Sequence, residues 1–124
     1  MLRSIIVTNN PIVAKKYENV FFVDGSVEEM LIKVRDMVHA GYELISHPLA
    51  ASLRMIYSPY RSVIVGNYRA NVVDFLSAEI IEDSIIKYKR LTSHRKEDTV
   101  NDADYQTVDL DLLESALSEQ QIAW

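Results

Sequence analysis

Ser4-Ile5-Ile6-Val7 runs directly into Thr8-Asn9-Asn10-Pro11, and few folds accept that junction. The apolar residues are consecutive rather than alternating, so a strand built from them is covered on both faces. The strand, read as Arg3–Thr8, has to stop there. Pro11 has no N–H to give to a sheet but suits the first turn of a helix, and Asn10 before it is a natural N-cap. The predicted helix, Pro11–Tyr17, is short. The pattern then repeats. Val20-Phe21-Phe22-Val23 is a second apolar run, closed by Asp24-Gly25-Ser26. Ser26 and Glu29 form a capping box, in which each side chain satisfies a free backbone N–H of the other residue. Val27, Met30, Leu31, Val34 and Val38 recur at helical spacing, and Gly41 stands where a left-handed C-terminal cap belongs. A third strand, Tyr42–Ser46, follows.

Strand, helix, strand, helix, strand with short connections predicts a parallel sheet with crossover helices. Beyond it lie an irregular stretch from His47 to Arg61 and a fourth strand, Ser62–Val65. A long helix over about Val73–Thr92 carries Ala78, Ile81, Ile85 and Tyr88 on its buried stripe. A polar surface loop over 93–104, a fifth edge strand over Tyr105–Leu110 and a last helix over about Leu112–Gln121 complete the chain. Asp111 and Glu114 are read as the capping pair of that helix. The expected fold is one α/β domain over residues 1–124: a three-layer, Rossmann-like domain with a mostly parallel four- to five-stranded sheet.

Composition narrows the function classes. Apolar residues make up 48% of the chain and charged residues 25%, enough for a core under a wet surface. The net charge of −5 argues against a nucleic-acid partner, which favours a basic face. No apolar run approaches the roughly 20 residues that span a bilayer, and nothing at the N-terminus reads as a signal peptide. A cytoplasmic protein with no membrane partner is expected. The absence of cysteine removes thiol nucleophiles, zinc–thiolate sites and iron–sulfur ligation by this chain. No cofactor is implied.

Candidate chemistry gathers at the carboxyl ends of the strands, where ligands bind in open α/β sheets. Thr8, Asn9 and Asn10 end the first strand, Ser26 follows the second, and Ser46 and His47 end the third. Free N–H groups at the helix starts there favour an anion. His47 is the one candidate general base, although a histidine hydrogen-bonded to backbone ahead of a rigid Pro48 explains it as well. Arg61, with Arg54, Tyr57 and Tyr60, could clamp an anion or a partner, although a solvated loop with two anchoring aromatics is the preferred reading. His39, His47 and His94 are too far apart in sequence for a metal motif, and three isolated glycines make no phosphate loop.

Several short pieces recur together in one known family. They are Thr8-Asn9-Asn10-Pro11, Gly25-Ser26, Leu31-Ile32-Lys33-Val34-Arg35-Asp36, Gly41, His47-Pro48-Leu49, Pro59-Tyr60-Arg61-Ser62-Val63 and Val108-Asp109-Leu110 through Glu114-Ser115-Ala116-Leu117. With them the chain resembles the GrdX family, small proteins associated with the glycine, sarcosine and betaine reductase systems of anaerobic bacteria. The resemblance implies an accessory protein, with reductase-complex components as candidate partners and no catalytic residues to carry over. Those reductases rely on selenol and thiol chemistry, so a cysteine-free chain is not one of their redox carriers. Three functions are therefore weighed: an accessory protein binding a small anionic metabolite or a partner protein at the strand ends; an enzyme using His47 as base on a carboxylate- or phosphate-bearing substrate; and an interaction module without a ligand site, docking through residues 48–61 or the last helix. A homo-oligomer is compatible with all three.

Overall fold

The structure is a computed structural model and describes residues 4–50, 52–93 and 100–122. Arg3, His94 and half of the expected polar loop (residues 94–99) lie outside the described residues. The elements are β1 (Ser4–Thr8), α1 (Pro11–Lys16), β2 (Val20–Phe22), α2 (Val27–His39), α3 (Leu53–Ile56), β3 (Ser62–Gly66), α4 (Phe75–Thr92) and α5 (Asp102–Ile122).

The sheet corrects the expected fold. It has three strands in the order β2-β1-β3. β1 pairs parallel with β2 and antiparallel with β3, Thr8 standing opposite Ser62 and Ser4 opposite Gly66. This is a small mixed sheet, not a four- to five-stranded, mostly parallel Rossmann-like one. The physical reason is the place of β3, which lies between β1 and the Tyr42–Ser46 segment. That segment follows the outer edge of β3 but never becomes a strand, and its one bridge joins Leu44 to Val65. Ile45 N–H and Ser46 N–H both donate to Ile64 O, at 2.9 and 3.1 Å, and Ser46 Oγ, not a carbonyl, accepts from Ile64 N at 2.8 Å. Two donors on one carbonyl and a hydroxyl in the ladder break the repeat that a strand needs.

The expected fifth strand is also corrected. Residues 105–110 are helical, inside a continuous α5 that begins ten residues before the predicted start at Leu112. Asp111 and Glu114 therefore lie within the helix rather than at its cap.

The other local signals hold. Asn10 Oδ1 accepts from Ile12 N at 3.2 Å and caps α1. Ser26 and Glu29 form the reciprocal capping box of α2. Gly41 has φ +117°, and a Cβ there would stand 2.1 Å from Ala70 O. Both its backbone angle and the close pass of residue 70 require glycine.

Alternate residues of the central strands serve the two faces. Val7, Val63 and Val65 pack with the buried stripe of α2 (Val27, Met30, Leu31, Val34 and Val38) and with Ile81, Ile85 and Tyr88 of α4. Ile6 and Ile64 point the other way, onto Val13 of α1 and Leu113 of α5. This second cluster is small, and polar contacts supplement it. Tyr17 Oη donates to Glu114 Oε2 at 2.8 Å, and Lys16 pairs with the same oxygen. Burial and the Glu114 carboxylate push the Tyr17 phenol up to about 12.

Candidate functional site

The end of the sheet where β1 stops and β3 starts is unusually polar and unusually buried. Thr8, Asn9, Asn10, Ser58, Arg61 and Asp109 are all buried, so each needs partners. Asn9 fastens three segments. Its Nδ2 donates to Gly25 O (3.0 Å) and Pro59 O (2.8 Å), and its Oδ1 accepts from Arg61 N (2.8 Å). Asn10 fastens α5. While Oδ1 caps α1, Nδ2 donates to Gln106 O (2.9 Å) and Asp109 Oδ2 (3.0 Å). Thr8 Oγ1 accepts from Asn10 N at 3.0 Å and lies 2.7 Å from Ser62 Oγ. Ser62 Oγ also lies 2.7 Å from Asp109 Oδ2, to which it donates. Thr-Asn-Asn-Pro is thus a joint that holds the sheet end, the 58–61 turn and the last helix in one geometry.

In front of this joint opens a pocket of about 200 Å³. Ser46, His47, Leu49, Arg61, Ser62 and Asp109 line it, together with Leu112, Leu113 and Ala116 of α5. Its size is below the roughly 300 Å³ at which drug-sized sites begin, so it suits a ligand of few heavy atoms.

Arg61 is the unusual residue. It is 5% exposed, and its guanidinium donates to two main-chain carbonyls, Met55 O through Nη2 (2.9 Å) and Pro48 O through Nη1 (3.4 Å). Among the described residues no carboxylate lies within 4.0 Å of it. Desolvation pulls its pKa down, and only the more distant Asp109 and Tyr88 oppose that pull. Desolvation likewise pushes the Asp109 carboxyl up, against the donors Asn10 and Ser62 and the field of Arg61. A buried guanidinium without an adjacent anion is costly unless something else compensates it.

The sequence-predicted site residues divide into three groups. Ser46, His47 and Arg61 reach the pocket. Thr8, Asn9 and Asn10 stand behind it, fully engaged in holding its walls. Ser26 is elsewhere, in the cap of α2. His47 is exposed at the pocket mouth, where its Nδ1 accepts from Leu49 N at 3.1 Å. No carboxylate of the described residues pairs with its ring. Arg54 is exposed and takes no part. Asp109 and Ser62 were not among the predicted residues. The signal for Asp109 was its spacing: Tyr105, Asp109 and Leu113 are four apart and all buried, which puts an acid in the inward stripe of a helix. No group of three or more potential metal ligands occurs among the described residues, and none of their helices is long and apolar enough to cross a membrane.

A family model described as GrdX-like protein matches residues 5–118. The chain belongs to the GrdX-like family. The match spans the residues of the joint and the pocket and α5 as far as residue 118. No curated protein and no solved structure matches the chain.

Proposed function

We propose that this protein is an accessory protein of glycine, sarcosine and betaine reductase metabolism that holds a small anionic metabolite in the pocket at Arg61. Family membership supports the metabolic setting. The observation that carries the binding reading is the buried Arg61 guanidinium, fixed by two carbonyls and without an adjacent carboxylate among the described residues. A carboxylate or phosphate entering the pocket supplies the missing charge and can take two parallel N–H donors from one guanidinium. The catalytic alternative has less support, because His47 is exposed and its ring is oriented only by the adjacent backbone.

The test is a thermal-shift titration with acetate and with inorganic phosphate, on wild type and Arg61→Gln. A ligand at 100 times its Kd stabilises the native state by about 2.7 kcal/mol. A shift in wild type that is lost in a folded Arg61→Gln protein supports the reading. Should the variant not fold, chemical-shift changes at residues 46–50 and 61–62 in wild type decide it. Neither anion moving those resonances overturns the reading.

A second reading, a protein partner drawn from the reductase components, is favoured by a separate patch. Tyr68 and Val72, 75% and 77% exposed, line an open groove with Gly41, Gly66 and Asp74, and Phe75 and Leu76 at the start of α4 are 79% and 64% exposed. Apolar groups that contiguous mark contact surfaces. Sedimentation of the protein mixed with purified reductase components, against the Phe75→Glu variant, tests it.

A further inference from the structure

Resting on the anion reading, we propose that the pocket is built for a zwitterion: a small amino acid whose carboxylate lies on Arg61 and whose ammonium group lies on Asp109. Both side chains line the same cavity of about 200 Å³ and both are at least nineteen-twentieths buried. They carry opposite charges, yet they form no ion pair within 4.0 Å. Among the described residues, each is held by neutral partners alone. The Arg61 guanidinium has the carbonyls of Met55 and Pro48, and the Asp109 carboxylate has Ser62 Oγ and Asn10 Nδ2.

Two buried, opposite charges gain most by direct contact. Here the fold prevents it. Arg61 is fastened through its own backbone to Asn9 and through its side chain to the 48–55 segment, while Asp109 is fastened to Asn10 and Ser62. The charges are therefore kept apart across a space, and a molecule that carries both signs on one carbon atom compensates both at once. An anion alone satisfies Arg61 and faces the Asp109 carboxylate.

The walls add selectivity. Leu49, Met55, Leu112 and Leu113 give apolar surface without hydrogen-bonding groups in their side chains, and among the described residues no Phe, Tyr or Trp lines the cavity. Quaternary ammonium groups are recognised by aromatic faces because they have no N–H to donate. This pocket offers a carboxylate instead, which rewards a primary or secondary ammonium. Glycine and N-methylglycine should therefore bind better than their trimethylated counterpart.

The experiment is a set of titrations on the wild-type protein, followed by amide chemical shifts, with glycine, N-methylglycine, trimethylglycine, acetate and methylamine. The expected order is glycine and N-methylglycine at least tenfold tighter than acetate, with trimethylglycine no tighter than acetate. Asp109→Asn should bring glycine down to the acetate level and leave acetate no weaker. Equal affinity for glycine and acetate overturns the zwitterion proposal and leaves the anion reading standing. No response at residues 46–50 and 61–62 to any of the five overturns both. Because the wild-type series is complete by itself, a poorly folding Asp109→Asn variant does not decide the matter.

Discussion

Asn10 is the residue whose replacement tests the joint most directly. It has no exposed surface, and its side chain makes three hydrogen bonds: it caps α1 through Ile12 N and donates to Gln106 O and Asp109 Oδ2. Asn10→Ala removes all three. Loss of the cap costs about 1 kcal/mol, the neutral bond to Gln106 about 1 kcal/mol, and the bond to a carboxylate about 1.5–3 kcal/mol. The expected loss is about 3.5–5 kcal/mol, a large part of the ~5–15 kcal/mol that a domain has. Asn10→Asp separates the contributions. It keeps the cap but sets a second carboxylate where the donor stood 3.0 Å from Asp109 Oδ2. Two buried carboxylates that close cannot both ionise. Its penalty should therefore be largest near pH 8 and shrink toward pH 4. Asn10→Asp combined with Asp109→Asn exchanges donor and acceptor and should recover most of the pairwise loss, although Gln106 O remains without its donor. Urea unfolding followed by far-ultraviolet circular dichroism gives each value. A loss under about 1.5 kcal/mol for Asn10→Ala would refute the stated magnitudes. So would a double variant no better than the sum of its singles.

Two further outcomes follow from the packing and the charges. Gly41→Ala forces a Cβ to 2.1 Å from Ala70 O at φ +117°, where the backbone strain alone is about 1–3 kcal/mol. It should lower Tm by about 8 °C or more, whereas Gly66→Ala, whose Cβ meets nothing nearer than 3.9 Å, should lower it much less; scanning calorimetry showing equal shifts would count against the contact. Asp109 has a folded-state pKa raised above its ordinary 3.8, so between those two values the folded protein binds more protons than the unfolded chain and stability falls as pH rises. Asp109→Asn removes that downward contribution, and the stability of wild type minus variant should decline from about pH 4 upward; parallel curves in urea unfolding from pH 4 to 8 would contradict it.

What the sequence made legible was short in range. Asn10 before Pro11, Ser26 with Glu29, the stripe of α2 and the glycine at 41 each involve residues within about three helical turns, and each is as predicted. Strand order is set over longer separations. Val63, Ile64 and Val65 are equally apolar in a parallel or an antiparallel place, and no local residue says which strand will lie beside β1. The contact that fixes it, Thr8 on Ser62 and Ser62 on Asp109, joins residues 47 and 54 apart. The stretch Tyr105-Gln106-Thr107-Val108 failed for another reason. Its side chains favour strands, and α5 has almost no amphipathic bias. Tertiary contacts decide it: Tyr60 Oη bonds Asp102 Oδ2 at 3.0 Å and Gln106 Nε2 bonds Tyr60 Oη at 3.0 Å, tying the first turns of the helix to the 58–61 segment.

The misread helix hid one wall of the pocket. With 105–110 taken as an edge strand, Asp109 is a surface acid and Arg61 is one of two loop arginines, and nothing places them together. Once α5 is continuous, Asp109 turns inward beside Leu113 and meets the cavity that Arg61 lines. That pair is poorly explained as a stability device. Each side chain loses hydration on folding, the two do not touch, and well-packed apolar residues in such positions are often as stable or more so. Both charges face a cavity instead of each other. Stability alone favours closing that gap, whereas a charged occupant favours keeping it. A fold that spends Asn9, Asn10 and Ser62 on fixing the two charges in place is therefore better accounted for by what enters between them than by what it contributes to folding.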